Sequence, residues 1–167
     1  RCLAVLLSCG ALVFAQDVSA MCQVEAPAGG TGRPLVKKLA PVCTAAERET
    51  HAVNSAAIIA ALEAGQAVEL AGVIVRGDLS FDRLPLQTAK MKPGSPPERQ
   101  EPPNQLSGQE VRLVRGALTI SDSVVLGAMR HRSAQGTLQF DGPVDSHGPT
   151  FTEGVDLSRA RFPGIVH

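Results

Sequence analysis

Phenylalanine returns every eleven residues near the end of this chain, at Phe140, Phe151 and Phe162. The neighbours repeat with it. Val144, Val155 and Val166 lie four residues on, and Ser146 and Leu157 lie six on. Inside this period runs a finer unit, two apolar or small residues flanking one variable residue. It reads as Leu118-Thr-Ile120, Ser123-Val-Val125, Val144-Asp-Ser146, Pro149-Thr-Phe151, Val155-Asp-Leu157 and Ala160-Arg-Phe162, in steps that alternate six and five. A unit this short cannot bury its own apolar face, so it must stack on its neighbours.

The same unit occurs earlier, at Val73-Ile-Val75, Leu79-Ser-Phe81 and Leu84-Pro-Leu86. Arg76-Gly-Asp-Leu79 matches Arg115-Gly-Ala-Leu118 in position. Gly77, Gly116 and Gly127 each follow a unit by two residues, where the chain has to turn sharply. Two stretches interrupt the pattern. Residues 87–109 form a Pro-rich loop, of which 92–104 have no apolar residue outside the prolines. Residues 132–136 are a second, short insertion.

The amino-terminal part reads differently. Arg1 precedes an apolar run over residues 3–15, short for a membrane span, followed by small residues that suit cleavage. Residues 1–20 are therefore read as a secretory signal peptide, and the protein as exported, to the periplasm or the exterior. Leu6-Leu-Ser-Cys9 offers a lipoprotein alternative, and a membrane anchor is a further one. Cys22 and Cys43 remain after cleavage. An even pair in an oxidising compartment favours one disulfide over two free thiols, and two distant Cys supply too few ligands for a metal.

Residues 21–43 are rich in Gly and Pro and read as a flexible leader. Thr44-Ala-Ala-Glu47 is a capping box, so a capping helix is expected over 44–65. Val53, Ala57, Ile58, Ala61 and Leu62 give it one apolar face, and Gly65 is its natural stop. Asn54-Ser55 could break it in two, with Ser55 recapping the second half. The chain is expected to continue beyond His167, because residues 164–167 stop inside a unit and a stacked array should not end on an open strand edge.

Charge narrows the partners. Lys and Arg number 16, as do Asp and Glu, so no global field attracts nucleic acid or an anionic surface. Trp and Tyr are absent, which removes the aromatic platform that single-stranded nucleic acid needs. Asp141, Asp145, Glu153 and Asp156, with Arg159 and Arg161, are the candidates for polysaccharide chemistry. Their repeat positions explain them as solvated outward residues. His51, His131, His147 and His167 have no metal-ligand spacing. His131 falls on an inward position, as an edge rather than a ligand. Ser123 is inward too, as a buried hydroxyl bonding backbone. No catalytic, metal or cofactor site is assigned.

Gly77-Asp-Leu79, Val155-Asp-Leu157 and Phe162 look like units of the pentapeptide-repeat superfamily. The helix, Val68-Glu-Leu70 and the run from Val73 to Leu79 are similar to the start of uncharacterised bacterial members. The resemblance covers residues 57–86 and 111–167. It departs from the family in its period of eleven rather than ten and in its insertions. It implies a right-handed, four-sided β-helix and a binding or structural role without catalysis.

The expected fold is thus all-β, a right-handed parallel β-helix over residues 66–167 with an amino-terminal capping α-helix. The expected function is a non-catalytic exported scaffold that binds another macromolecule, a protein or envelope component. The alternative is a carbohydrate-active β-helix enzyme or a surface lectin. With four units to a coil, those at Val73, Arg112, Leu138 and Ala160 should share one side. Their outward residues Ile74, Leu113, Gln139 and Arg161 would form the partner-binding face. Arg130 and Asp156 should pair across adjacent layers.

Overall fold

A computed structural model describes residues 21–26, 32–88 and 110–162. The signal segment, most of the Pro-rich insertion and residues 163–167 lie outside the described residues. The chain begins with β1 (Val24–Glu25) and β2 (Leu35–Leu39), then α1 (Ala45–Thr50), β3 (Val53–Asn54) and α2 (Ser55–Glu63). Next come β4 (Val68–Ala71), β5 (Ile74–Arg76), β6 (Leu79–Ser80), a 3-10 turn (Phe81–Arg83) and β7 (Leu86–Thr88). After the insertion follow β8 (Glu110–Val114), β9 (Leu118–Ser121), β10 (Val124–Leu126), β11 (Met129–Arg130) and β12 (Thr137–Phe140). The last are β13 (Val144–His147), β14 (Thr150–Phe151), β15 (Val155–Asp156) and β16 (Ala160–Arg161).

These strands are divided among four separate sheets. Their orders are β1-β2-β4-β9-β13, β14-β10-β5-β3, β15-β11-β6 and β16-β12-β8-β7. We refer to them as the first to fourth sheets. From β4 onward the chain enters the first, second, third and fourth sheet in turn, and begins again at β9 and at β13. The second and third sheets are wholly parallel. The first and fourth are mixed, because β1 runs antiparallel to β2 and β7 antiparallel to β8.

The fold class is mixed α/β, which corrects the expectation of an all-β, single right-handed parallel β-helix. Two features overturn it. The strands belong to several sheets, two of them mixed. The helices also belong to the body of the fold: α2 buries Ile58, Ile59, Ala61 and Leu62 and packs against β4, β6 and β8. Removing Ile58 and Leu62 from water contributes about 2 kcal/mol each.

The expected capping helix over 44–65 is broken. The capping box forms: the Thr44 hydroxyl accepts from Glu47 N–H, and the Glu47 carboxylate accepts from Thr44 N–H at 2.8 Å. But α1 ends at Thr50, because residues 53–54 join the second sheet beside β5. Helix resumes after Asn54, whose side-chain oxygen accepts from Ala56 N–H at 2.8 Å. Asn54, not Ser55, is therefore the second cap. Gly65 then turns the chain with a left-handed φ of 73°.

The leader also differs from its reading. Residues 35–39 are a strand, paired in parallel with β4 and antiparallel with β1. A disulfide joins Cys22 to Cys43 (S–S 2.12 Å) and ties β1 to the start of α1. Arg48 adds to this clasp. Its guanidinium donates to Cys43 O at 3.0 Å, to Pro41 O at 3.2 Å and to Gly72 O.

Between layers, corner side chains cap the backbone of the next layer. Asp78 accepts from Ala128 N–H at 3.0 Å, and Thr152 accepts from Gly127 N–H at 2.9 Å. At one corner the backbones themselves touch. A Cβ on Gly116 would sit 2.0 Å from Gln66 O, and one on Gly142 would sit 2.6 Å from Gly116 O. Only glycine fits there.

Candidate functional site

Register decides which side chains can act together. Leu138 is aligned with Arg112 and Ala160, so Gln139 lies beside Leu113 and Arg161 on the fourth sheet. Ile74 does not join them, which corrects the expected four-residue face. It lies on the second sheet, beside Val124. The chain moves on by only two sheets between Ile74 and Leu113, because β7 and β8 lie side by side and antiparallel in the fourth; Leu84-Pro-Leu86, read as a strand unit of its own, supplies only the start of β7 after the proline. Val73 therefore stacks with Ser123.

On the second sheet, Val75 and Val125 are fully buried and aligned, so their neighbours point the other way. Ile74 and Val124 thus stand side by side on the outer surface, and Arg76 and Leu126 form the next row. Val124 is 37% exposed and Leu126 is 43% exposed. Arg76 pairs with Glu49 at the edge of this group. Beneath it, the buried Ser123 hydroxyl donates to Ser121 O at 2.7 Å and accepts from Val73 N–H at 3.2 Å.

A polar cluster lies at the corner between the third and fourth sheets. Arg130 and Asp156 are neighbours in register, yet they do not pair with each other. Arg130 pairs with Asp78, and Asp156 pairs with Arg132 Nε at 2.9 Å. Ser158 donates its hydroxyl to Asp156 at 2.6 Å. These bonds, with the Arg132 charge, hold the Asp156 carboxyl below its ordinary pKa. Asp82 accepts from Arg132 N–H at 3.2 Å and Ser133 N–H at 2.9 Å.

His131 occupies the inside of the corner and is wholly buried. Its Nδ1 is 2.8 Å from Asp82 Oδ1, an ion-pairing distance, but neither ring nitrogen has the geometry of a directed hydrogen bond. Arg112 is buried alongside. It donates to Leu84 O and, at 3.4 Å, to Ser133 Oγ, while its Nε has no partner. A surface pocket of 250 Å³ opens at this corner, lined by His131, Arg132, Ser133, Ala134, Ser158 and Arg159.

Of the carboxylates considered for polysaccharide chemistry, Asp145 lies on the first sheet and Asp156 on the third. Asp141 accepts from the Gln139 amide at 2.8 Å. Sequence reasoning passed over the pocket because it comes from the short insertion at 132–136 and the turn at 158–159, where no repeat position assigns a role. The available signal was a small insertion carrying Arg and Ser.

Among the described residues, no group of three or more His, Cys, Asp or Glu could hold a metal, and no helix is long and apolar enough to cross a membrane. No protein-family model, curated protein or solved structure matches the chain, and none of these comparisons indicates the pentapeptide-repeat superfamily that its motifs resemble.

Proposed function

We propose that this chain is a non-catalytic scaffold, exported to the periplasm or exterior, that binds a protein through the outer face of its second sheet. The observation that carries this is the placement of Ile74 and Val124 side by side, with Leu126 in the next row, on a surface facing water. An apolar centre with a charged rim, here Arg76 and Glu49, suits a protein surface. The Cys22–Cys43 disulfide supports an oxidising compartment.

The test is a photocrosslinker at position 124, compared with one at Thr119. Thr119 stands on the outer side of the first sheet between buried Leu118 and Ile120. A protein adduct should form in the native envelope from 124, and Leu126→Asp should remove it. Equal adducts from both positions, or an adduct unaffected by Leu126→Asp, would refute the reading. Fractionation with sequencing of the mature amino terminus checks the compartment.

A further inference from the structure

We infer that the pocket at the corner between the third and fourth sheets is a binding site for a small oxyanion, a carboxylate or phosphate group. This is separate from the apolar face of the second sheet and does not depend on it. The pocket's lining is rich in donors. Arg132 and Arg159 bring two guanidinium groups, whereas the hydroxyls of Ser133 and Ser158 already donate to Gln135 O at 3.0 Å and to Asp156 at 2.6 Å. Arg132 spends only Nε on Asp156, leaving its terminal nitrogens for a ligand. Arg159 donates only to Ala134 O, at 3.2 Å, and among the described residues no carboxylate lies within ion-pairing distance of it. A guanidinium fork matches the paired oxygens of carboxylate and phosphate.

A second observation is independent of the arginines. His131 lines the same pocket, is wholly buried, and has no directed hydrogen bond at either ring nitrogen. Buried polar groups are normally satisfied; Asp82 at 2.8 Å accounts for Nδ1, and Nε2 is the ring nitrogen left without a partner. The carboxylates in the neighbourhood are accounted for. Asp156 holds Arg132 and Ser158, and Asp82 holds His131 and two backbone N–H groups. The volume, 250 Å³, is just below the range of sites for whole small molecules, so it suits one group of a larger ligand.

Arg159 also sits in a costly conformation. Its φ is 62°, in the left-handed region that glycine prefers. This yields a variant that separates binding from folding. Arg159→Gly relaxes the backbone, so its melting temperature should equal or exceed that of the parent. It should nonetheless lose the ligand.

The experiment titrates the full chain with inorganic phosphate and, separately, with glucuronate, with glucose as the neutral control. Backbone amide shifts at Ser133 and Ser158 give the readout. At least one anion should bind with millimolar affinity, and glucose should not. Binding should weaken as salt rises. Arg159→Gly should weaken it at least tenfold, and Arg159→Lys should fall between. Phosphate alone would mark a phosphate site, glucuronate alone a carboxylate site, and both a general oxyanion site. Binding of neither anion, or equal binding by the parent and a folded Arg159→Gly, would overturn the inference.

Discussion

The buried imidazole of His131 stands 2.8 Å from the carboxylate of Asp82, and Asp82 also accepts the N–H groups of the two residues that follow His131. One carboxylate thereby fixes the inward turn of the chain after β11. Partial burial works to raise the Asp82 pKa. The hydrogen bonds from Arg132 N–H and Ser133 N–H, with His131 beside them, outweigh it and hold the group below its ordinary value of 3.8.

That direction sets a pH dependence. A carboxyl depressed in the folded state stabilises the fold above its unfolded pKa, and the gain is lost as pH falls through the folded value. The window therefore lies below about pH 5, given an unfolded Asp pKa near 3.9. Asp82→Asn should destabilise the protein by about 1–2 kcal/mol at pH 7, because it weakens acceptance from two N–H groups. The difference between parent and variant should shrink as pH drops from 5 to about 3, measured by urea unfolding. A constant difference across that range would refute this role.

Gly116 faces a steric rather than an electrostatic limit. Its missing Cβ would lie 2.0 Å from Gln66 O, and Gly142 presses on Gly116 from the next layer. Gly116→Ala must push these backbones apart, at a cost of about 2–3 kcal/mol. Gly154→Ala is the contrast, since nothing lies within 4 Å of its Cβ position. Its φ of 84° still strains alanine, so it should cost about 1 kcal/mol. Thermal melts of both variants should preserve that order.

The Cys22–Cys43 bridge closes a loop with a sequence separation of 21. Cross-linking a loop of this size stabilises by about 3 kcal/mol, chiefly by restricting the unfolded chain. Cys43→Ser with Cys22→Ser should lower the urea midpoint accordingly. Dithiothreitol should do the same to the parent and nothing to the double variant. An intact mass two hydrogens below that of the reduced form checks the bridge directly.

Much of the local structure was legible because it follows from single side chains. Thr44 and Glu47 announce a helix start through a local capping bond, and that start forms. Leu118 and Ile120 alternate with Thr119 and Ser121 and are buried in a strand. Long-range register was less legible. Alternation assigns His131 and Arg112 to the interior, but it cannot say that Asp82 or Leu84 O receives them. A break at Asn54-Ser55 was legible, but not the loss of helix from Thr50 onward, because β5 claims Val53 and Asn54 as strand partners over a distance that no helical pattern records.

The eleven-residue period shows the same limit and supplies a final prediction. It makes Phe140, Phe151 and Phe162 look equivalent. In the structure one step of eleven carries the chain two sheets onward, from the fourth to the second and back. Phe140 therefore meets Phe162, not Phe151. Their rings stack at 4.8 Å, and Phe81 meets Phe140 edge-on at 5.5 Å. Phe140 is buried between two aromatic partners, whereas Phe151 is only partly buried, on the edge strand β14. Phe140→Ala opens a cavity and removes both ring contacts, so it should cost about 3–5 kcal/mol. Phe151→Ala leaves a gap that water can fill and should cost about half as much. Urea midpoints of the two variants give the comparison. Equal losses would mean that the sequence period, rather than the fourth-sheet stack, sets the energetics.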